Sequence, residues 1–194
     1  MVRRPPAAAL LPSVALAALL SLAALLALTG CGADRAPALH HHADAPPSAS
    51  AAGPSEASRM VCGGFVLRQL AGALGSEPVS TPVGSWDGRV YRCPYRYPAG
   101  ELVLSVRESG GRAAATADFE AARSAAGRAV EVTGLGEAAF TGADGSTVVR
   151  KDGMVLTVEV GSLPEGFGVP PRSRADVSVM AATTVMTCWK EHSG

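Results

Sequence analysis

Between Ala7 and Leu28 the chain has no charged residue and is nearly all alanine and leucine, interrupted by Pro12, Ser13 and Ser21. A run of that length approaches the span of a bilayer and cannot share a core with a soluble domain. Arg3 and Arg4 precede it, and the small pair Thr29-Gly30 follows it, directly before Cys31. A basic start, an apolar middle and a small-residue end are the three parts of a secretory leader. An uncleaved membrane helix and a plain secretory signal are the competing readings. Arg3-Arg4 also suggests twin-arginine export, but Pro5 and Pro6 stand where that signal wants an apolar residue. Residues 1–30 are therefore assigned to the leader, and the rest is expected in an oxidising compartment.

Leu28-Thr29-Gly30-Cys31 resembles, position by position, the lipobox of bacterial lipoproteins. The resemblance implies that the Cys31 thiol receives a diacylglyceryl group and that cleavage before Cys31 makes it the first mature residue. It also implies membrane lipid as a partner through the acylated (palmitate-type) Cys31, and a place on the extracytoplasmic face of the cell membrane. Two or more acyl chains anchor stably where one is marginal, at about 0.8 kcal/mol per buried methylene.

Without the leader, 15 basic residues face 17 acidic ones, a formal charge of −2. Nucleic-acid binding wants a basic footprint, so that class of partner is not expected. Residues 31–59 are alanine, proline, serine and glycine with scattered charges, and they cannot build a core; they read as a disordered tether. His40-His41-His42 lies in it. Adjacent imidazoles can chelate a metal weakly, but three neighbours on such a segment hold no fixed geometry, so an incidental run is favoured and no metal site is assigned. Residues 60–194 remain, enough for one domain with one core.

Periodicity lays out that domain. Phe65 to Leu74 suits a short helix stopped by Gly75. Val90 to Tyr97 alternates, with Tyr91, Cys93, Tyr95 and Tyr97 on one face and Arg92, Pro94 and Arg96 on the other; Pro94 demotes it to an edge or a bulge. Leu102 to Glu108 returns with Leu102, Leu104 and Val106 inward. Ala113 to Ala126 predicts a second helix closed at Gly127. Ala129 to Thr133 is a short strand. Ser146 to Arg150 and Met154 to Val160 form a hairpin about Lys151-Asp152-Gly153. The Pro/Gly-rich loop from Gly161 to Arg172 carries Phe167, a candidate lid over an apolar groove, although a mobile surface loop is preferred. Ser173 with Asp176 resembles a capping box, opening a last helix that runs to about Lys190. The order α-β-β-α-β-β-β-α points to an α+β two-layer sandwich: an antiparallel sheet of about five strands with about three helices on one face.

Cys62, Cys93 and Cys188 are left once Cys31 is lipidated. An odd count in an oxidising compartment predicts one disulfide. Cys62–Cys93 is favoured, and Cys62–Cys188 and Cys93–Cys188 stay open. Cys188 reads as a buried thiol packing as a small hydrophobe; a catalytic role would need His192 as its base.

No Gly-x-Ser-x-Gly elbow, phosphate loop or paired-cysteine zinc pattern appears, and no cofactor is expected. The carboxylates are scattered, and nothing in the sequence selects a catalytic pair. The one charged cluster is arginine. Arg92, Arg96 and Arg107 belong to a single predicted hairpin, beside Arg89 and three tyrosines, and suit an anionic headgroup or polymer through bidentate contacts. Arginine outnumbers lysine fifteen to two along the whole chain, so a solvated face written in GC-rich codons is the favoured reading of the cluster.

At Gly134-Leu135-Gly136-Glu137-Ala138-Ala139-Phe140 the chain resembles a group of small actinobacterial surface lipoproteins of unknown function. They share a lipobox, a low-complexity tether, two early cysteines and a Gly-Leu-Gly-Asp/Glu-x-Ala-aromatic turn between strands. The resemblance implies a structural role for the motif, with Ala139 and Phe140 entering the core, and no catalytic residue. The Cys188-Trp189 ending departs from that pattern. The resulting expectation is a non-enzymatic, lipid-anchored binding or accessory protein that engages an envelope lipid, polymer or membrane-protein partner. A secreted hydrolase with an unrecognised site is the alternative.

Overall fold

The computed structural model of the protein describes residues 53–191. Cys31, His40, His41, His42 and His192 lie outside the described residues, as do the expected leader and most of the expected tether. No helix among the described residues is long and apolar enough to cross a membrane.

The chain enters through a one-turn helix α1 (Glu56–Arg59) and a 3₁₀ turn (Met60–Cys62), then α2 (Gly64–Leu74). Three strands follow, β1 (Ser85–Trp86), β2 (Val90–Tyr97) and β3 (Gly100–Glu108). Helix α3 (Arg112–Ala125) leads to β4 (Val130–Glu131), β5 (Ala138–Thr141), β6 (Thr147–Lys151) and β7 (Met154–Glu159), and α4 (Arg174–Glu191) closes the chain. The seven strands form one sheet in the order β1-β2-β3-β7-β6-β5-β4, antiparallel at every pairing. Two meanders thus meet where β3 pairs with β7. This is the expected α+β fold, with seven strands in place of about five.

Local chemistry accounts for the elements. Gly75 ends α2 in the left-handed region at φ 59°, with its N–H on the Ala71 carbonyl, the conformation glycine adopts without penalty. Pro94 sits in β2 opposite Val103, beyond the reach of two-residue β1, which pairs only with Arg92 and Tyr91. Its missing N–H therefore costs no ladder bond. Ser173 caps α4: its hydroxyl accepts from the Asp176 N–H at 3.1 Å and donates to the Asp176 carboxylate at 2.6 Å. In the glycine-rich heptapeptide, a Cβ on Gly136 (φ 64°) would lie 2.5 Å from Val149 Cγ1 and 2.7 Å from the Arg150 carbonyl oxygen, so only glycine fits. Glu137 follows it into ion pairs with Arg112 and Arg150, and Ala139 and Phe140 enter the core.

The sheet buries both faces, and it does so unequally. Leu102, Leu104 and Val106 of β3 join Tyr95, Leu156 and Val158 beneath α2 and α4, which contribute Val66, Leu70, Val177, Ala181 and Val185. A smaller cluster of Ala115, Phe119, Phe140, Val148 and Val155 lies under α3. Val148 and Val149 are neighbours in β6, so their side chains point to opposite faces, and they fall in different clusters. Helix α3 is therefore across the sheet from α2 and α4, whereas the sequence placed all three helices on one side. The apolar spacing of Ala115, Phe119 and Ala122 dictates that α3 buries a face, but it is silent about which face of the sheet receives it.

The entry of the chain is tied down strongly. Cys62 and Cys93 form the disulfide, with Cα atoms 5.6 Å apart, the favoured pairing. The Tyr95 hydroxyl donates to the Val61 carbonyl. The Trp189 indole N–H donates to the Ala57 carbonyl at 2.9 Å. Glu108 accepts from the Ser55 N–H at 2.7 Å and from the Ser58 hydroxyl at 2.6 Å. Desolvation works against the Glu108 carboxylate, and those bonds to Ser58 and Ser55 nonetheless hold its pKa below the usual value. The folded part thus takes in Glu56–Arg59, four residues that composition assigned to the tether.

Candidate functional site

The two faces of the β2–β3 hairpin have different fates. Tyr91, Cys93, Tyr95 and Tyr97 turn toward α2 and α4. On the other face the register places Arg92 opposite Ser105, Val90 opposite Arg107 and Arg96 opposite Glu101, and β7 adds Thr157 opposite Ser105 and Glu159 opposite Val103. Helix α3 covers only the β6–β7 side of this surface. What remains is a cleft of about 470 Å³ between α3 and the hairpin, lined by Asp87, Arg92, Ser105, Arg107, Asp118 and Glu159 among others.

Charges in the cleft are largely spoken for. Arg92 pairs with Glu159 at 2.8 Å. Arg89, just outside, pairs with Asp118 at 2.8 Å. Asp87 accepts from the Val90 N–H at 2.7 Å and the Arg89 N–H at 2.9 Å; these two bonds hold its carboxyl below the ordinary value, with Arg107 adding to the effect. Asp118 is likewise lowered, first by the nearby Ser109 hydroxyl and then by Arg89 and Arg107. Proton donation at neutral pH needs a carboxyl pushed the other way. The cleft gathers three carboxylates, yet Asp87 and Asp118 are held as anions and Glu159 is ion-paired.

Two groups stand apart. Arg107 is half-buried and influences Asp87 and Asp118 through space, but among the described residues it makes no ion pair within 4 Å. Ser105 is only 5% exposed, and its Oγ has no hydrogen-bond partner. A buried hydroxyl left unbonded is costly, and Ser105 and Arg107 are two residues apart on the same side of β3, about 7 Å along the strand.

The register puts Arg92 and Arg107 on one face of the hairpin, and both line the cleft. Arg96 shares their side of the sheet but is engaged by Glu101 at 3.1 Å and does not line the cleft. Sequence reasoning missed Ser105, Asp87, Asp118 and Glu159. The signal for Ser105 was a polar residue set between Leu104 and Val106 in a central strand. Nothing linked the carboxylates, which come from a turn, a helix and a distant strand.

Other candidates resolve differently. Phe167 is buried, packs edge-on against Tyr97 with ring centroids 4.9 Å apart, and is held by a bridge to Arg172. Its loop plugs the end of the core, and is neither a lid nor a loose surface loop. Cys188 is buried outside the disulfide, with its Sγ 3.7 Å from Met60 Sδ. A larger cleft of about 620 Å³ runs between α2 and residues 76–81, but no unbonded buried polar atom lines it. No group of three or more possible metal ligands occurs among the described residues.

No family model matches the chain, and neither a curated protein nor a solved structure does.

Proposed function

We propose that the protein is a lipid-anchored binding or accessory lipoprotein of the bacterial cell envelope, held by acylated Cys31 on the extracytoplasmic face of the membrane and engaging an envelope ligand or membrane-protein partner without catalysing a reaction. The lipobox-like Leu28-Thr29-Gly30-Cys31 supports the anchor, and the Cys62–Cys93 disulfide suits an exported domain. The observation that carries the binding role is the cleft beside α3, where a guanidinium without an ion pair and a buried hydroxyl without a partner line one wall. Pockets with few, convergent polar groups are the usual form of small-ligand sites.

The test is native mass spectrometry of the full chain, extracted gently from the membranes of a bacterial host. A reproducible small adduct supports a ligand carrier, and a co-extracted membrane protein supports an accessory subunit. A chain that is soluble, unacylated and bare removes the proposal, and Cys31→Ser tests the anchor by releasing the protein from the membrane fraction. A secreted hydrolase is the second reading, favoured only by the gathering of Asp87, Asp118 and Glu159 in one cleft. The lowered pKa values of Asp87 and Asp118 and the ion pair of Glu159 with Arg92 weigh against it.

A further inference from the structure

The cleft does not stop at Glu159. A second hollow of about 470 Å³ continues along the same edge of α3 and shares Ala122, Thr157 and Glu159 with the first. Its apolar part is made by Ala122, Ala125 and Ala126 of the helix and by Phe140 and Val148 of the sheet. Phe140 and Val148 are already buried, so they form a floor, and the alanines are short enough to leave the space above it open. One end of the trough thus offers a cation and a hydroxyl, and the other a mainly apolar channel with Asp144, Ser146 and Glu159 on its rim.

We infer that this trough binds one amphiphile, with a singly charged anionic head (a carboxylate or a phosphodiester) at Arg107 and Ser105 and a short alkyl chain along Ala122, Ala126, Phe140 and Val148. The inference rests on reading the cleft as a binding site and names what it holds. Arg107 receives the head because Arg92 is engaged by Glu159, and displacing that pair would strand a carboxylate. Ser105 gains the bond it lacks by donating to the second oxygen of the same head. Asp87, Asp118 and Glu159 limit the head to one negative charge, since a second would sit among three carboxylates. A bare inorganic anion meets one guanidinium in an open cleft and is held weakly; burial of the chain supplies the remaining affinity.

The experiment is calorimetric titration of the full acylated chain in phosphatidylcholine nanodiscs, with empty discs as the blank. The probes are decanoate and dihexanoyl phosphatidylglycerol as the two sources of an anionic head, decyltrimethylammonium as the cationic counterpart, and inorganic phosphate as the head alone. Saturable one-to-one binding of either anionic amphiphile is expected, and which one binds identifies the source. Arg107→Gln should weaken it about tenfold to a hundredfold, Ser105→Ala about threefold to tenfold, and Arg107→Lys to an intermediate degree because the charge survives without the fork. Ala122→Leu should weaken the tailed probes by filling the channel, and Arg68→Gln, on α2 across the sheet, should change nothing. Thermal melts of each variant exclude unfolding as the cause. Binding of phosphate or decyltrimethylammonium as tight as that of the anionic amphiphiles overturns the inference, as does indifference to Arg107→Gln or to Ala122→Leu. If no probe binds while native mass spectrometry still finds an adduct or partner, the amphiphile falls and the binding role stands; if both fail, both fall.

Discussion

The two faces of the sheet are built from the same strands and put to different use. Beneath α2 and α4, residues such as Leu104, Val106, Leu156 and Val185 are completely buried, and the Ser178 hydroxyl is bonded to Thr147 at 2.7 Å and to the Gly145 carbonyl at 2.6 Å, although the buried Tyr97 hydroxyl has no partner. Beneath α3 the apolar cluster is five residues, and beyond it the sheet turns to arginine, carboxylate and an unbonded serine. A dense core resists change because every void is felt. The α3 face is thinner and ends in an open trough, so it can accept a guest. The larger apolar cluster lies on one side, and the other side keeps an open trough.

That contrast can be broken in four places. The largest effect is expected from Leu104→Ala, which opens a cavity in the densest region and should cost about 2–5 kcal/mol in chemical denaturation. Removing the disulfide by the paired change Cys62→Ala and Cys93→Ala should cost about 3–4 kcal/mol; urea midpoints of the oxidised and doubly substituted proteins measure it. Phe119→Ala removes a larger side chain than Leu104→Ala, along with an edge-on contact to Phe140 at 5.3 Å, yet should cost only about 2 kcal/mol, because α3 borders a trough into which it can settle. A cost above that of Leu104→Ala would show that the α3 face is as rigid as the other and end the comparison. The smallest effect concerns acid. Asp87 and Asp118 have lowered pKa values in the folded state, so their contribution is present above the ordinary carboxylate range near 4 and is lost as pH falls through the folded values. Asp118→Asn should flatten the fall in urea midpoint between neutral and acid pH. An unchanged slope would mean that the other lowered carboxyls, Asp87, Glu108 and Asp152, dominate acid sensitivity instead.

Much of the architecture was legible because it is written in periodicity. The alternation of Tyr91, Cys93, Tyr95 and Tyr97, the apolar set of β3 and the Asp152-Gly153 turn, with Asp152 at φ 54°, all describe elements that the structure contains. Two strands escaped. Ser85–Trp86 is too short to show alternation, and Ala138–Thr141 was hidden inside a glycine-rich heptapeptide that reads as a turn. The site was half legible. Arg92 and Arg107 share a hairpin and so betray their face, but Arg92 is silenced by Glu159 of β7, and on the hairpin's own β3 Glu101 occupies Arg96 while the Ser105 hydroxyl is buried without a partner. The Arg92–Glu159 pairing depends on β7 lying beside β3 in the sheet, and no local pattern encodes that neighbour.

The fastening of Ser55 to Cys62 has a mechanical consequence. Any drag on the domain from its N-terminal side meets the Glu108, Trp189 and Tyr95 contacts first, and behind them the covalent Cys62–Cys93 bridge. The load then bypasses α2 and passes straight into β2, which is paired with β3 along its whole length. Peeling would part those bonds one at a time; tension delivered to the middle of a paired strand must shear many together. The Arg107 end of the trough is lined by these same two strands, so its shape outlasts the yielding of Ser55 to Cys62.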